Sequence, residues 1–130
     1  MPRIYTYRGK TAEELAALST QEFSKIVNSR QRRAIKRIGL LYKKLAAEVE
    51  KSKKSNPKKV IKTHVREAVI LPSWLNLKFG VYDGKTFQEI VITPEMLGHR
   101  LGEFVYTTHR VMHSAPGIRA TRGSKFLAVK

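Results

Sequence analysis

Leu75-Asn76-Leu77-Lys78-Phe79-Gly80-Val81-Tyr82-Asp83-Gly84-Lys85-Thr86-Phe87-Gln88-Glu89-Ile90-Val91-Ile92 is the stretch that decides the fold. Leu75, Leu77, Phe79 and Val81 alternate with Asn76, Lys78, Gly80 and Tyr82, the period of two that a half-buried strand requires. Asp83-Gly84 then marks a hairpin turn, since both residues tolerate the positive φ of a two-residue connection. Such a loop sets Phe79 opposite Gln88, Leu77 opposite Ile90 and Leu75 opposite Ile92. That register gathers the apolar side chains on one face and puts Lys78 opposite Glu89, a favourable cross-strand pair.

Outward from the hairpin, Val65 to Leu71 contains Ala68-Val69-Ile70-Leu71, a short buried-strand pattern stopped by Pro72. Thr93-Pro94-Glu95 fits the start of a helix, with Thr93 as N-cap and Pro94 in the first turn. Gly98 and Gly102 follow closely and keep that helix short. Beyond Tyr106 no periodicity persists, and Pro116, Gly117, Gly123 and scattered cations predict an extended arm.

The first 55 residues read as helical. Thr11 with Glu14, and Ser19 with Glu22, have capping-box spacing. Phe23, Ile26 and Val27 follow at helical intervals. A third start falls near Ser29, after which Ile35, Ile38, Leu41, Leu45 and Val49 form one apolar stripe, with Gly39 as the point where it can split. Arg30, Arg32, Arg33, Lys36 and Arg37 crowd the first turns of this helix, where cations oppose the dipole. Phosphates would neutralise them; a solvated basic face is the plainer alternative. Residues 51–59, Lys-Ser-Lys-Lys-Ser-Asn-Pro-Lys-Lys, read as a polar linker with a turn at Asn-Pro. The predicted class is α+β: N-terminal helices, a small three-stranded, mostly antiparallel sheet with a short helix, and an extended basic C-terminal arm.

Charge narrows the function. The chain of 130 residues holds 26 Lys and Arg against 10 Asp and Glu, a formal charge of +16. Such a charge opposes compaction and calls for an anionic partner, nucleic acid first and an anionic membrane second. After Glu103 there are five cations (Arg110, Arg119, Arg122, Lys125, Lys130) and no acid. The N-terminus is polar and basic, unlike a signal peptide, and no apolar run approaches a membrane span. A soluble, cytoplasmic protein without membrane contact is expected.

Catalytic and metal chemistry find little support. The absence of Cys removes disulfides, thiolate metal sites and thiol nucleophiles. His109 and His113 have the i, i+4 spacing of a helical metal pair. However, no Glu sits between them as in zinc proteases, and no acid or Cys follows as a third ligand. Glu95 and Glu103 form no evident acid–base pair, Ser114 and Ser124 lack a nucleophile context, and no phosphate-cradling glycine loop occurs. Neither an enzymatic activity, a metal nor a cofactor is expected. His beside Arg in an acid-free segment suits phosphate or base contact.

The run Asp83-Gly84-Lys85, continued by Thr93-Pro94-Glu95-Met96-Leu97-Gly98-His99-Arg100-Leu101-Gly102-Glu103-Phe104 to Thr107, resembles the signature of the universal small-subunit ribosomal protein S-nineteen family. Ile61-Lys62-Thr63, Arg66 and Ile70-Leu71-Pro72 fit the same family. Tyr5-Thr6-Tyr7-Arg8-Gly9, Ser29-Arg30-Gln31-Arg32-Arg33 and Ala115-Pro116-Gly117-Ile118 resemble its archaeal and eukaryotic branch; bacterial members lack most of the N-terminal half. The resemblance implies a structural constituent of the small ribosomal subunit, bound to the 3′ major (head) domain of 16S rRNA beside protein S-thirteen. It also implies tRNA and large-subunit bridge elements as neighbours. A free nucleic-acid module acting outside the ribosome is the competing reading.

Three segments follow: residues 1–59 as a helical basic extension and linker, 60–106 as an α+β rRNA-binding core, and 107–130 as an extended basic arm. Candidate RNA contacts in the first two are Arg32, Arg33, Lys62, Arg66, Lys78, Lys85, His99 and Arg100. In the arm they are Thr107, His109, Arg110, His113, Arg119, Arg122 and Lys125. Lys85 fits either a solvated turn or a phosphate contact. Gly98 and Gly102 allow backbone to approach either RNA or the sheet. Leu97, Leu101 and Phe104 are assigned to the core, and Glu103 to a structural hydrogen bond. The N-terminal helices suit RNA or protein S-thirteen equally.

Overall fold

The computed structural model describes residues 5–37, 39–111, 117 and 121–123. Most of the expected arm therefore lies outside the described residues, as do Ile38 and the candidate contacts His113, Arg119 and Lys125.

Capping sets the first three helices. Thr11 and Glu14 form a reciprocal capping box that starts α1 (Ala12–Ala16), and Ser19 with Glu22 does the same for α2 (Thr20–Ile26). The Asn28 side chain accepts from the Gln31 backbone N–H and opens α3 (Ser29–Lys36). Each side chain satisfies a backbone N–H that a helix start leaves without a partner.

Gly39 does split the long apolar stripe. It is the N-cap of α4 (Leu40–Ser55) and makes no side-chain cap bond. Two expectations change as a result. Arg33 and Lys36 fall in the last turn of α3, where the dipole favours cations, rather than in the first turns of one long helix. The stripe also changes phase. Ile35, Leu45 and Val49 are buried, but Leu41 is 66% exposed and half-buried Tyr42 takes the inward position, donating its hydroxyl to the Val69 carbonyl. Burial pushes that phenol's pKa up.

The polar linker is shorter than expected. Residues 51–55 continue α4, since nothing before Asn56-Pro57 breaks a helix and Lys53 and Lys54 complement its C-terminal dipole. Only a turn, closed by Lys59 N–H donating to the Asn56 carbonyl, remains.

The sheet has three strands, β1 (Ile61–Thr63), β2 (Lys78–Tyr82) and β3 (Phe87–Val91), in the order β1-β2-β3. It is mixed: β1 is parallel to β2, and β3 is antiparallel to it. The observed first strand precedes the one expected at Val65–Leu71. That apolar run is buried, but its backbone bonds run to the loop after β3, with a single bridge between Val69 and Arg100. Apolar runs of this length mark burial without choosing the partner.

The hairpin pairs two residues away from the expected register. Phe79 faces Ile90, Lys78 faces Val91, and Gly80 faces Glu89. The anticipated Lys78–Glu89 pair therefore does not form. The cause is Asp83. Its carboxylate accepts from the backbone N–H of Lys85 (2.8 Å) and Thr86 (2.7 Å), and from the Gln88 side-chain amide (3.0 Å), while Asp83 N–H donates to the Thr86 carbonyl. These bonds fold Asp83–Thr86 into a four-residue loop instead of a two-residue one. A shift of two preserves the faces, so Phe79 and Val81 still point into the core.

The Thr86 and Lys85 amides hold the Asp83 carboxyl well below its ordinary value of 3.8. A lowered folded-state value stabilises the fold in full above the unfolded value. The contribution is lost progressively as pH falls below about 3.8. Asp83→Asn is therefore expected to lower stability at neutral pH and to flatten its decline under acid. Denaturant midpoints measured from pH 7 down to pH 2 check this; parallel curves for parent and variant would contradict it.

One apolar cluster joins both halves. Leu15 and Phe23 from the helices belong to the same core as Trp74, Phe79, Ile92, Leu97 and Leu101. Trp74 lies at 5.1 Å, between ring centroids, from Phe79. Thr93 and Pro94 open a single 3₁₀ turn, Pro94–Met96, shorter even than the expected short helix. No helix among the described residues is long and apolar enough to cross a membrane.

Candidate nucleic-acid interface

The segment Gly98–Gly102 is tied to residues 66–70 by backbone bonds. Ile70 N–H donates to the His99 carbonyl (2.8 Å), Gly98 N–H to Ile70, Leu101 N–H to Ala68, and Gly102 N–H to Arg66 (2.9 Å). Both glycines sit in close contact with other parts of the protein. Gly98 has φ +75°, and a Cβ there would stand 2.6 Å from the Tyr7 hydroxyl. A Cβ at Gly102 would stand 3.0 Å from the Arg66 Cβ. Within the fold the two glycines approach Tyr7 and Arg66, which lie outside the strands, and not the sheet itself. Leu97 and Leu101 are fully buried and Phe104 packs against the core.

This tie brings Arg100 beside α3. Arg30, Arg33 and Arg37 from α3 and its C-cap, together with Arg100 and Glu67, line a cleft of about 540 Å³ whose remaining walls are Ser29, Ala34 and Gly39. Four guanidinium groups thus share one concavity with a single carboxylate. Of the candidate residues, Arg33 and Arg100 meet here. Arg30 and Arg37 were visible in the sequence as part of the basic run, but helical phase alone did not say which of its five cations would face Arg100.

The cations of the fold are largely unpaired. Among the described residues, the ion pairs within 4.0 Å are His99 Nδ1–Glu103 Oε2 at 2.6 Å and His109 Nε2–Asp83 Oδ2 at 3.7 Å; no Lys or Arg joins one. Like charges gathered in one concavity repel one another. Crowded, unpaired guanidinium groups are therefore primed for an anion with several charges. Their flat fork geometry matches phosphate oxygens.

Two candidates are engaged within the fold. Arg32 Nε donates to the Ser24 carbonyl, and its Nη2 to Lys25 and Val27, covering the carbonyls at the end of α2. Arg66 donates to the carbonyls of Tyr82, Gly102 (3.0 Å) and Val105. Composition cannot distinguish such arginines from exposed ones; the burial of the carbonyls around them decides it.

The remaining candidates among the described residues are exposed. Lys62 and Lys78 are exposed on one face of the sheet, and Lys85 is exposed at the hairpin tip. His99 is exposed and held by Glu103, whose other oxygen accepts from the Arg100 backbone N–H (3.2 Å), the structural bond expected of that acid. Thr107, His109, Arg110 and Arg122 are exposed. No group of three or more His, Cys, Asp or Glu among the described residues could hold a metal ion.

Comparison with known proteins points the same way. The family model described as Ribosomal protein S19 matches residues 32–113. The chain is also 48% identical over 128 residues to the small ribosomal subunit protein uS19 of Saccharolobus solfataricus, an alignment covering 97% of this chain and 91% of that protein.

Proposed function

The chain belongs to the ribosomal protein S19 family, and from that premise we propose that it is a structural, non-enzymatic constituent of the small ribosomal subunit in the cytoplasm. It binds 16S rRNA in the 3′ major (head) domain, next to protein S-thirteen, and supports assembly and translation. tRNA and the bridge elements of the large subunit are its further neighbours. The observation carrying the RNA contact is the cleft of Arg30, Arg33, Arg37 and Arg100, none of which has a carboxylate partner within 4.0 Å among the described residues. A folded RNA supplies closely spaced phosphates that relieve the repulsion within it. Lys62, Lys78, Lys85, His99, His109 and Arg110 extend the contact over the exposed surface, and Thr107, His113, Arg119, Arg122 and Lys125 continue it along the arm. Arg32 and Arg66 serve it indirectly by fixing the scaffold. Residues 60–106 act as the rRNA-binding core, flanked by the helical extension of residues 1–59 and the basic arm of residues 107–130.

Titrating the full chain against head-domain rRNA over a salt series tests this. Log affinity should fall linearly with log salt concentration. Each phosphate contact contributes roughly 0.7–0.9 to the slope. Replacing both Arg30 and Arg33 with alanine should lower the slope by about 1.4–1.8, two contacts' worth. A flat response in the parent, or an unchanged slope in the double variant, would exclude the cleft as the phosphate site.

A further inference from the structure

The sheet carries, on the face turned away from the core, a feature that phosphate contacts do not explain. The His64 ring lies 4.4 Å from that of Tyr82 and 5.1 Å from that of Phe87, and Tyr82 and Phe87 are themselves 5.1 Å apart. Lys62 Nζ stands 5.5 Å from the centre of the Phe87 ring. Strand register explains the gathering. Tyr82 and Phe87 are partners beside the hairpin loop, and β1 runs beside β2 with Lys62 level with Gly80. His64, just past the end of β1, thus comes alongside Tyr82. A Cβ at Gly80 would stand 3.1 Å from Val60 and 3.3 Å from the Lys62 stem. Glycine there lets that stem cross the sheet toward Phe87.

The opposite face of β2 holds Phe79 and Val81, both fully buried. On the outer face His64 is exposed, and Tyr82 and Phe87 are half-buried beside it, their rings inclined to that of His64 by 50° and 77°. Among the described residues, neither the His64 ring nitrogens nor the Tyr82 hydroxyl has a hydrogen-bond partner. Lys78 shares the face, as does Glu89 opposite Gly80. The arrangement is an exposed ring braced at an angle by two others, with unused polar edges, two cations and one acceptor. It offers what an unpaired base uses: a stacking surface, donors and acceptors for its edge, and charge for the flanking phosphates.

We propose that this face is a stacking platform for an unpaired RNA base, which lies on His64 while Lys62 and Lys78 hold the phosphates on either side. The proposal rests on the RNA-binding reading above and extends it from phosphate contact to base contact. It places a single-stranded or extruded nucleotide against the outer face of the sheet.

The test compares the full chain and its variants on a short single-stranded RNA and on a blunt duplex of the same sequence, over a salt series. Loss of one stacking side chain typically weakens binding about tenfold. His64→Ala should show that loss on the single strand, with no change in salt slope, duplex affinity or thermal midpoint. His64→Phe, which keeps a flat ring and carries no charge, should restore binding. Equal single-strand affinity for parent and His64→Ala overturns the proposal. So does a loss shared by the duplex, as a purely structural role would give, or a failure of His64→Phe to restore binding. If the unsubstituted chain binds neither RNA in a salt-dependent way, the RNA-binding reading itself fails, and this appears before any variant is compared.

Discussion

Replacing Arg66 with methionine is expected to lower the stability of the fold by about 3 kcal/mol, and the thermal midpoint by roughly 10 °C. The half-buried guanidinium ties together the carbonyls of Tyr82, Gly102 and Val105, which come from the end of β2 and from the segment leading into the arm. Hydrogen bonds from a charged donor contribute roughly 1.5–3 kcal/mol each, and bonds sharing one donor group do not add in full. Methionine keeps much of the apolar stem but leaves three acceptors without their donor. Arg66→Lys should recover little, because one ammonium lacks the planar fork that spans them. Chemical unfolding of both variants checks this. Stability within about 0.5 kcal/mol of the parent, the range of ordinary surface changes, would mean that water serves these carbonyls adequately.

Gly98→Ala is expected to cost about as much, for a different reason. At φ +75° a residue with a Cβ bears roughly 1–2 kcal/mol of backbone strain. The added methyl would also stand 2.6 Å from the Tyr7 hydroxyl, an overlap of the kind that costs roughly 1–3 kcal/mol in a packed interior. The two contributions separate in a double-mutant cycle. Tyr7→Phe removes the obstructing oxygen and leaves the backbone strain, so the pair should be less destabilised than the sum of the single changes. Simple additivity would assign the whole cost to the backbone. The cycle also tests the contact between Tyr7 and the Gly98 loop directly, since the ring of Tyr7 is held within 6.1 Å of Phe23 in α2.

The elements were legible wherever a signal was local. The capping boxes at Thr11 and Ser19 needed only residues three positions apart, and both are present. Gly39 broke the helix because its cost is intrinsic. Legibility stopped at long-range choices. Strand alternation fixed which face of β2 is buried but not the hairpin register, because Asp83 satisfies backbone donors that a two-residue loop would have left to the ladder. The run 68–71 was correctly read as buried, but its partner is a glycine-bearing loop some 30 residues away rather than a strand. The site followed the same rule. Net charge and the Arg-rich run announced an anion binder, and the Gly98–Phe104 motif carried the family resemblance. Neither could say that Arg33 and Arg100 share a cleft while Arg32 and Arg66 hold carbonyls. That division depends on how far each guanidinium lies from a buried acceptor, which only the folded chain defines.

Among the described residues the lysines and arginines lack carboxylate partners within 4.0 Å, which bears on the chain before assembly. A ligand that binds only the folded form raises stability by RT ln(1 + [L]/Kd). Here the folded form also concentrates cations that the unfolded form spreads apart, so the free chain bears a self-repulsion that its partner removes. Part of its resistance to unfolding is then borrowed and scales with occupancy. Copies synthesised in excess of their binding sites populate open, protease-sensitive forms more often than bound copies do, with no change in sequence or modification to distinguish them. Unpaired charge thus couples the lifetime of the chain to the supply of sites that can neutralise it.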